Sequence, residues 1–264
     1  MSPTKAILKR WLPPAVVDAY RAVMARVSVP APVVPPQAAA VSQTAPAVPA
    51  EASLPAAEFR LPTVPLRDLF PGIEGLTAEV PISQIIRQRD MVLPLAELLT
   101  IAGICRAMQP RRIFEIGTYS GASTLVMAIN AAPDVEIVTL DLDSADPVIG
   151  SCFRNSPLAD RIRQVRGDTR TFAFGPYEHL EDLVFIDANH AYEFIRNDTA
   201  RAFEMLRPGG VIVWDDYRWL PEHRECIGVT TFLDELVSTR ECFSIEGTRL
   251  AVYVDREDGG SQRA

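Results

Sequence analysis

Apolar and polar positions change their spacing regularly between residues 83 and 255. Short apolar runs alternate with longer segments whose apolar residues recur at helical spacing. Helices are predicted over 91–108, 121–132, 191–206 and 228–239. Strands are predicted over 112–117, 135–141, 161–167, 183–187, 211–215, 242–246 and 249–255. Apolar strands that alternate with helices indicate a parallel sheet with helices on both faces.

The two final strands are joined by only a few residues around Gly247. Parallel strands need a long crossover connection, so this short link predicts an antiparallel hairpin. The sequence therefore predicts an α/β fold with a doubly wound, seven-stranded sheet that has one antiparallel edge strand. In such sheets, ligands bind beside the carboxyl ends of the strands.

Composition changes sharply near residue 60 and predicts five regions. Residues 1–28 carry two amphipathic helical patterns, and residues 29–60 form a Pro/Ala-rich linker that is expected to be disordered. Residues 61–95 are expected to cap the substrate crevice, 96–256 to form the main domain and 257–264 to be a disordered tail. The apolar stripes of the first region need a partner, which is the protein's own domain, a second subunit of a homodimer, a membrane surface or another protein.

The chain has 264 residues and a formal net charge of −8. This acidic balance disfavours a nucleic-acid-binding surface, which requires a basic stripe. Four cysteines stand at wide spacings without a C-x-x-C pair, which disfavours a disulfide framework and a structural zinc site. The sequence has no apolar run long enough to span a membrane and no secretory signal pattern, so a cytoplasmic protein is expected.

The first predicted strand ends in a glycine turn, Glu115-Ile-Gly-Thr-Tyr-Ser-Gly121. Its spacing differs from the G-x-G-x-x-G of dinucleotide folds, and no lysine follows it as in a P-loop. A ligand without phosphates therefore fits better. Glu115 suits a cationic amino group, while Ser123 and the helix N-terminus suit a carboxylate.

Two acidic residues follow at the ends of the next strands. Asp141 closes the second strand, where an acid can accept both hydroxyls of a ribose. Asp168, between Gly167 and Thr169, offers a polar contact near the end of the third strand. Together with the glycine turn, these residues predict a site for an unphosphorylated adenosine.

A second group of polar residues follows the fourth and fifth strands. Asp187 and His190 come after the fourth strand, and Asp215 and Asp216 end the fifth. Adjacent parallel strands bring these residues into one crevice, where three carboxylates repel each other unless a cation lies among them. Oxygen ligands with one histidine nearby favour Mg²⁺, with Mn²⁺ or Ca²⁺ as alternatives.

These motifs resemble those of a known enzyme family. The run Glu-Ile-Gly-Thr-x-x-Gly-x-Ser-Thr, followed by Asp141 and Gly-Asp-Thr, is similar to the cofactor motifs of class I S-adenosylmethionine-dependent methyltransferases. More narrowly, it resembles bacterial small-molecule O-methyltransferases related to catechol-type and macrolide-sugar enzymes. The resemblance covers about residues 83–255. It implies a Rossmann-like sheet whose strands, numbered along the chain, lie in the order 3-2-1-4-5-7-6.

The resemblance also implies roles for individual residues. The segment from Gly117 to Gly121 would wrap the methionine part of the cofactor, Asp141 would hold its ribose and Asp168 would face its adenine. The metal ligands would be Asp187, Asp215 and Asp216. The catalytic residues would be His190, as general base, and Asp187. The full cofactor-binding set is Glu115, Gly117, Thr118, Tyr119, Ser120, Gly121, Ser123, Asp141, Leu142, Asp168 and Thr169.

The expected reaction is the transfer of a methyl group to a hydroxyl of a small molecule, such as a sugar, a polyketide or a phenolic. A metal would chelate the acceptor and lower the pKa of its hydroxyl, and His190 would take the proton. Three alternatives stay open at this point. They are a NAD-type oxidoreductase, a related metal-using protein that does not transfer methyl groups, and a non-catalytic scaffold.

Overall fold

The computed structural model describes residues 59–85, 93–218 and 226–256. The two predicted N-terminal helices, nearly all of the predicted linker and the predicted tail over 257–264 lie outside these residues. Within the described residues, none of the helices combines the length and the apolar character that crossing a bilayer demands.

The described strands form one mixed sheet. They are β1 (Thr63–Val64), β2 (Arg112–Ile116), β3 (Glu136–Asp141), β4 (Ile162–Arg166), β5 (Glu181–Ile186), β6 (Leu206–Trp214), β7 (Cys242–Ile245) and β8 (Ala251–Val254). Across the sheet they lie in the order β1-β7-β8-β6-β5-β2-β3-β4. The run from β6 to β4 is parallel throughout, and β8 is antiparallel to both of its neighbours, β6 and β7.

The doubly wound α/β fold is confirmed, with two corrections. The seven predicted strands keep their expected relative order, but the described residues contain an eighth. This is β1, whose two residues pair in parallel with β7 and are too few to show a strand pattern in the sequence. The description of the reversed strand as an edge strand is also wrong, because β8 lies inside the sheet between β6 and β7, the place that the expected strand order gives it.

Helices pack on both faces of the sheet. The described helices are α1 (Leu66–Leu69), α2 (Ile82–Ile85), α3 (Leu95–Met108), α4 (Ala122–Asn130), α5 (Tyr192–Met205) and α6 (Ile227–Leu236). Alternate residues of β2 point to opposite faces, so Phe114 packs in one core with α5 and α6, whereas Ile113 packs in another with α3 and α4. This double burial explains why the central strands are mostly apolar rather than alternating between apolar and polar residues.

The predicted cap over 61–95 is only partly described. Leu69 and Phe70 are buried in the core beside α3. From the described part of this segment, Leu93 and Pro94 line the large crevice at the carboxyl ends of the strands. The cap therefore stays a prediction, because residues 86–92 lie outside the described ranges.

Candidate active-site crevice

A crevice of about 630 Å³ opens at the carboxyl ends of β2 to β6. Because these strands are parallel, the residues that follow each of them meet at this edge. Most of the predicted cofactor residues line it: Gly117, Thr118, Tyr119, Ser120, Ser123, Asp141, Leu142, Asp168 and Thr169. The predicted catalytic and metal residues line it too: Asp187, His190, Asp215 and Asp216.

The glycine turn after β2 approaches other backbone segments too closely for a side chain. Gly117 has a φ of +102°, and a Cβ there would lie 1.8 Å from the backbone oxygen of Asp187. Gly121 has a φ of +77°, and its Cβ would lie 2.4 Å from the ring of Phe153. Glycine is therefore required at both positions by its conformation and by space.

Glu115 lies behind the turn rather than in the crevice. Its carboxylate is fully buried and accepts hydrogen bonds from the hydroxyls of Ser123, Thr124 and Thr139, at 2.5, 2.5 and 2.6 Å. Burial raises the pKa of Glu115 to about 7, and the three hydroxyls oppose that rise. The expectation that Glu115 faces a ligand's amino group is thus not met, because its oxygens already serve to anchor α4 and β3 to β2.

Asp141 connects the end of β3 to the glycine turn. Its Oδ2 accepts the backbone N–H groups of Thr118 and Tyr119 at 3.1 and 2.7 Å, and its Oδ1 accepts that of Leu142 at 2.7 Å. Oδ2 thus already accepts two N–H groups, whereas Oδ1 keeps one acceptor site, because a carboxylate oxygen offers about two lone-pair sites. The side chain is therefore held in one orientation at the crevice wall.

Asp168, after β4, is paired with a cation that the sequence analysis did not foresee. Arg170 donates to it through Nε at 3.0 Å and through a terminal nitrogen at 2.5 Å, which lowers the pKa of Asp168 to about 2. The same guanidinium lies 4.8 Å from the ring centroid of Phe194. Asp168, Arg170 and Phe194 all line the crevice, and together they form a polar and aromatic wall.

Three carboxylates converge on the other side of the crevice, after β5 and β6. Asp187, Asp215 and Asp216 each place one oxygen within 4.8 Å of the others. Burial and the charge of Asp216 raise the pKa of Asp187 to about 7, and burial together with its acidic neighbours raises the pKa of Asp215 well above its usual value. The negative charges of these carboxylates therefore repel each other.

A protein cation partly compensates this acidic cluster. Arg249, just before β8, contacts Asp216 Oδ1 at 2.7 Å and Asp215 Oδ2 at 3.6 Å. It is held in place by Glu97 of α3, which accepts from its Nε at 2.9 Å and from a terminal nitrogen at 3.1 Å. Glu97 is itself buried. The cluster thus contains four carboxylates around one guanidinium.

His190 lies at the edge of the same cluster. Its Nε2 is 3.0 Å from Asp216 Oδ2, and this contact, with a smaller contribution from Cys226, raises the pKa of His190 to about 10. Burial alone would raise the pKa of Asp216, but His190 and Arg249 lower it overall. In this arrangement the pair is an imidazolium and a carboxylate, so the predicted base role requires the Asp216 contact to be lost.

The acidic cluster fits a divalent cation. Oδ1 of Asp215 is buried without a hydrogen-bond partner, and burial and acidic neighbours raise the pKa values of Asp187 and Asp215. Oxygen ligands of this kind suit Mg²⁺, Mn²⁺ or Ca²⁺. Asp216 is the least available of the three, because both of its oxygens already contact protein cations.

Sequence reasoning missed Arg249 and Glu97. Ala251 of β8 pairs with Trp214 of β6 in an antiparallel register. The residue two positions before Ala251 must therefore lie beside the residue two positions after Trp214, which is Asp216. The expected strand order, which places the last strand beside the fifth, contained part of this signal. The signal for Glu97 was weaker: it is one acidic residue in an apolar helix.

The crevice can now be compared with known proteins. Residues 114–217 match the family described as "Methyltransferase domain". This segment is therefore similar to a methyltransferase domain. It includes the glycine turn, Asp141, Asp168 and the acidic residues after β5 and β6.

Two curated relatives are similar to about half of this chain. Catechol O-methyltransferase of Mycobacterium tuberculosis is 35% identical over 147 residues, which are 53% of this chain and 59% of that protein. Caffeoyl-CoA O-methyltransferase of Stellaria longipes is 26% identical over 132 residues, 48% of this chain and 54% of that protein. The chain thus spans somewhat more than half the length of these relatives.

A solved structure supports the fold of this chain. The O-methyltransferase TomG from Streptomyces achromogenes, solved in complex with SAM, aligns with a TM-score of 0.53 and 21% identity. The alignment covers 72% of this chain and 96% of that one. At this identity the likeness concerns the fold, which is the doubly wound sheet described above.

Proposed function

We propose that this protein transfers a methyl group from S-adenosylmethionine to a hydroxyl of a small molecule. The observation that carries the proposal is the conformation of Asp141, whose carboxylate is fixed at the wall of the crevice. The glycine turn beside it has a spacing that differs from that of phosphate-binding loops. The matched methyltransferase domain and the O-methyltransferase relatives support the same activity.

The cofactor would lie along the ends of β2, β3 and β4. Both oxygens of Asp141 are oriented by backbone N–H groups, and the remaining lone pair of Oδ1 can accept a hydroxyl of a ribose. Gly117 lets the ligand approach the backbone of the turn. The wall that contains Asp168 and Phe194 would cover the adenine. This assignment leaves Glu115 as an internal anchor of the turn.

The acceptor would lie beside the acidic cluster. Asp187, Asp215 and Asp216 would hold a divalent cation such as Mg²⁺, which when bound would lower the pKa of an acceptor hydroxyl. His190 faces this space and is the residue that we assign to receive the hydroxyl proton, once its contact with Asp216 is released. Asp187 would also help to orient the acceptor.

Three further assignments belong to the same proposal. The acceptor is a small hydroxylated molecule such as a sugar, polyketide or phenolic, in keeping with the names of the relatives. A homodimer would give the apolar stripes of residues 1–28 a partner. A cytoplasmic location is supported by Cys105, Cys226 and Cys242, which are buried thiols.

The experiment that tests this function is calorimetry with S-adenosylhomocysteine on wild-type protein and Asp141 variants. Asp141→Ala should weaken binding by at least about 100-fold, because a hydrogen bond to a charged group is lost together with the carboxylate that orients the glycine turn. Asp141→Asn keeps one oxygen and should lose about tenfold. His190→Ala should bind normally and transfer methyl groups at least about 100-fold more slowly.

The matched control for these variants is Asp143→Ala, which removes a nearby carboxylate that is 84% exposed. It should bind like the wild type. Wild-type affinity in Asp141→Ala would refute the ribose assignment, and a wild-type protein that does not bind the nucleoside would refute the proposed function.

A further inference from the structure

Three side chains of different chemistry meet at one end of the crevice. The imidazole of His190 lies 3.0 Å through Nε2 from Asp216 Oδ2, and 3.6 Å through Nδ1 from Cys226 Sγ. One possible ligand atom from each residue lies within 4.8 Å of the others. The three residues come from three separate segments, so no spacing in the sequence reveals the group.

Backbone packing holds this group together. Cys226 immediately precedes α6, and a Cβ on Gly228 in the first turn would lie 2.3 Å from the backbone oxygen of His190. The start of α6 is therefore pressed against the segment that carries the imidazole. Asp216 has a φ of +60°, so its carboxylate also projects from a constrained backbone. The donor atoms are preorganised rather than gathered from mobile side chains.

The environment of Cys226 favours a ligand over a nucleophile. The thiol is buried, and burial raises its pKa, whereas a reactive cysteine needs a lowered pKa. The imidazole that could activate it already contacts Asp216. A thiol, an imidazole and a carboxylate within a few ångströms are, however, ligands that Zn²⁺ prefers, and coordination deprotonates the thiol.

We propose that His190, Asp216 and Cys226 form a second cation site that takes a borderline-soft divalent ion such as Zn²⁺. Binding would form bonds from the ion to one imidazole nitrogen, one carboxylate oxygen and the sulfur, and the thiol proton and one proton of the His190 imidazolium would leave to solvent. The site differs in ligand chemistry from the all-oxygen cluster but shares Asp216 with it, so the two sites compete. If the proposed function holds, an ion here withdraws His190 from the acceptor and inhibits methyl transfer.

The test uses Co²⁺, which reports the ligands of zinc sites through its visible absorption. Metal-free full-length protein is titrated with Co²⁺ alone. The expected result is a thiolate-to-cobalt charge-transfer band that saturates at one ion per chain and is abolished by excess Zn²⁺. Excess Mg²⁺, which competes only through the shared Asp216, should raise the Co²⁺ concentration needed for saturation without abolishing the band. Absence of this band in the wild type overturns the site. The measurement needs no methyl transfer, so it stands independently of the proposed function.

Variants identify the ligands. Cys226→Ser should lose the charge-transfer band and bind Co²⁺ at least tenfold more weakly. Cys242→Ser removes an equally buried thiol in β7 and should keep the band. His190→Gln, a change at a part-exposed side chain, should also weaken binding at least tenfold, which protects the test against a misfolded Cys226→Ser. A band that persists in Cys226→Ser, or that disappears in Cys242→Ser, overturns the assignment.

Discussion

The two sides of the crevice differ in how their charges are balanced. On the side of β2 to β4, each acidic residue has its own partners: hydroxyls around Glu115, backbone N–H groups around Asp141 and a guanidinium beside Asp168. On the side of β5 and β6, three aspartates share one arginine and one histidine, and an oxygen of Asp215 has no hydrogen-bond partner.

The acidic groups on the side of β2 to β4 are therefore paired within the protein, whereas those on the side of β5 and β6 have room for an additional cation. A buried polar atom without a partner costs about 1–3 kcal/mol, so the acidic side gains when a cation supplies the missing charge. The side of β2 to β4, which we call the nucleoside side, has no such unpaired carboxylate oxygen among its described residues, and its polar groups are already oriented. We therefore expect its variants to act on folding and on nucleoside binding, and variants of the acidic side to act on metal affinity.

The largest expected effect on the nucleoside side is a loss of stability in Gly117→Ala. A Cβ would lie 1.8 Å from the backbone of Asp187, which cannot move without shifting β5. We expect a loss of more than about 4 kcal/mol in the free energy of unfolding, measured by urea denaturation. Gly209→Ala is the control, because Gly209 also has a positive φ but has open space around it, and it should cost only about 1–2 kcal/mol. Equal losses would mean that backbone conformation, not the close approach, sets the effect.

A smaller effect is expected from the buried anchor of that side. The pKa of Glu115 is raised to about 7 from 4.5, so its contribution to stability is fully present below pH 4.5 and is lost as the pH rises through about 7. The loss amounts to about 3 kcal/mol. Denaturation from pH 4 to 8 should show the wild type falling relative to Glu115→Gln. Glu136→Gln, at an exposed position, controls for the change of net charge. A constant difference between wild type and Glu115→Gln contradicts the assignment.

The smallest expected effect is a change in metal affinity on the acidic side, which tests whether Arg249 competes with a metal ion. Arg249→Met removes the guanidinium that contacts Asp215 and Asp216, and a dication then meets less repulsion and freer oxygens. We expect Mn²⁺ to bind about tenfold more tightly, measured by electron paramagnetic resonance. Arg170→Met removes a cation from the opposite side and should leave Mn²⁺ affinity unchanged. Weaker Mn²⁺ binding in Arg249→Met would show that the arginine supports the metal site rather than competing with it.

Much of the sheet could be predicted because its strands are short, apolar and separated by helical patterns. The glycine turn and the aspartates stood at strand ends, and parallel strands bring their ends together by geometry alone. Strand β1 could not be predicted, since its two residues form a strand only by pairing with β7.

The partners within the crevice were harder to predict. Glu115 looked like a ligand-binding acid because it stands in the turn, but its side chain faces inward to three hydroxyls. The ion pair between Glu97 and Arg249 joins residues 152 positions apart, and such a contact follows from the tertiary fold rather than from local spacing. Cys226 beside His190 is a contact of the same kind.

The late position of Arg249 in the chain has a consequence for biosynthesis. The aspartates after β6 leave the ribosome well before the hairpin of β7 and β8, so during synthesis they have no guanidinium to meet them. Only when the hairpin docks does the sheet gain its last strands and the aspartates their counter-ion in a single event. The C-terminal hairpin therefore completes the sheet and, in the same step, neutralises part of the negative charge of Asp215 and Asp216.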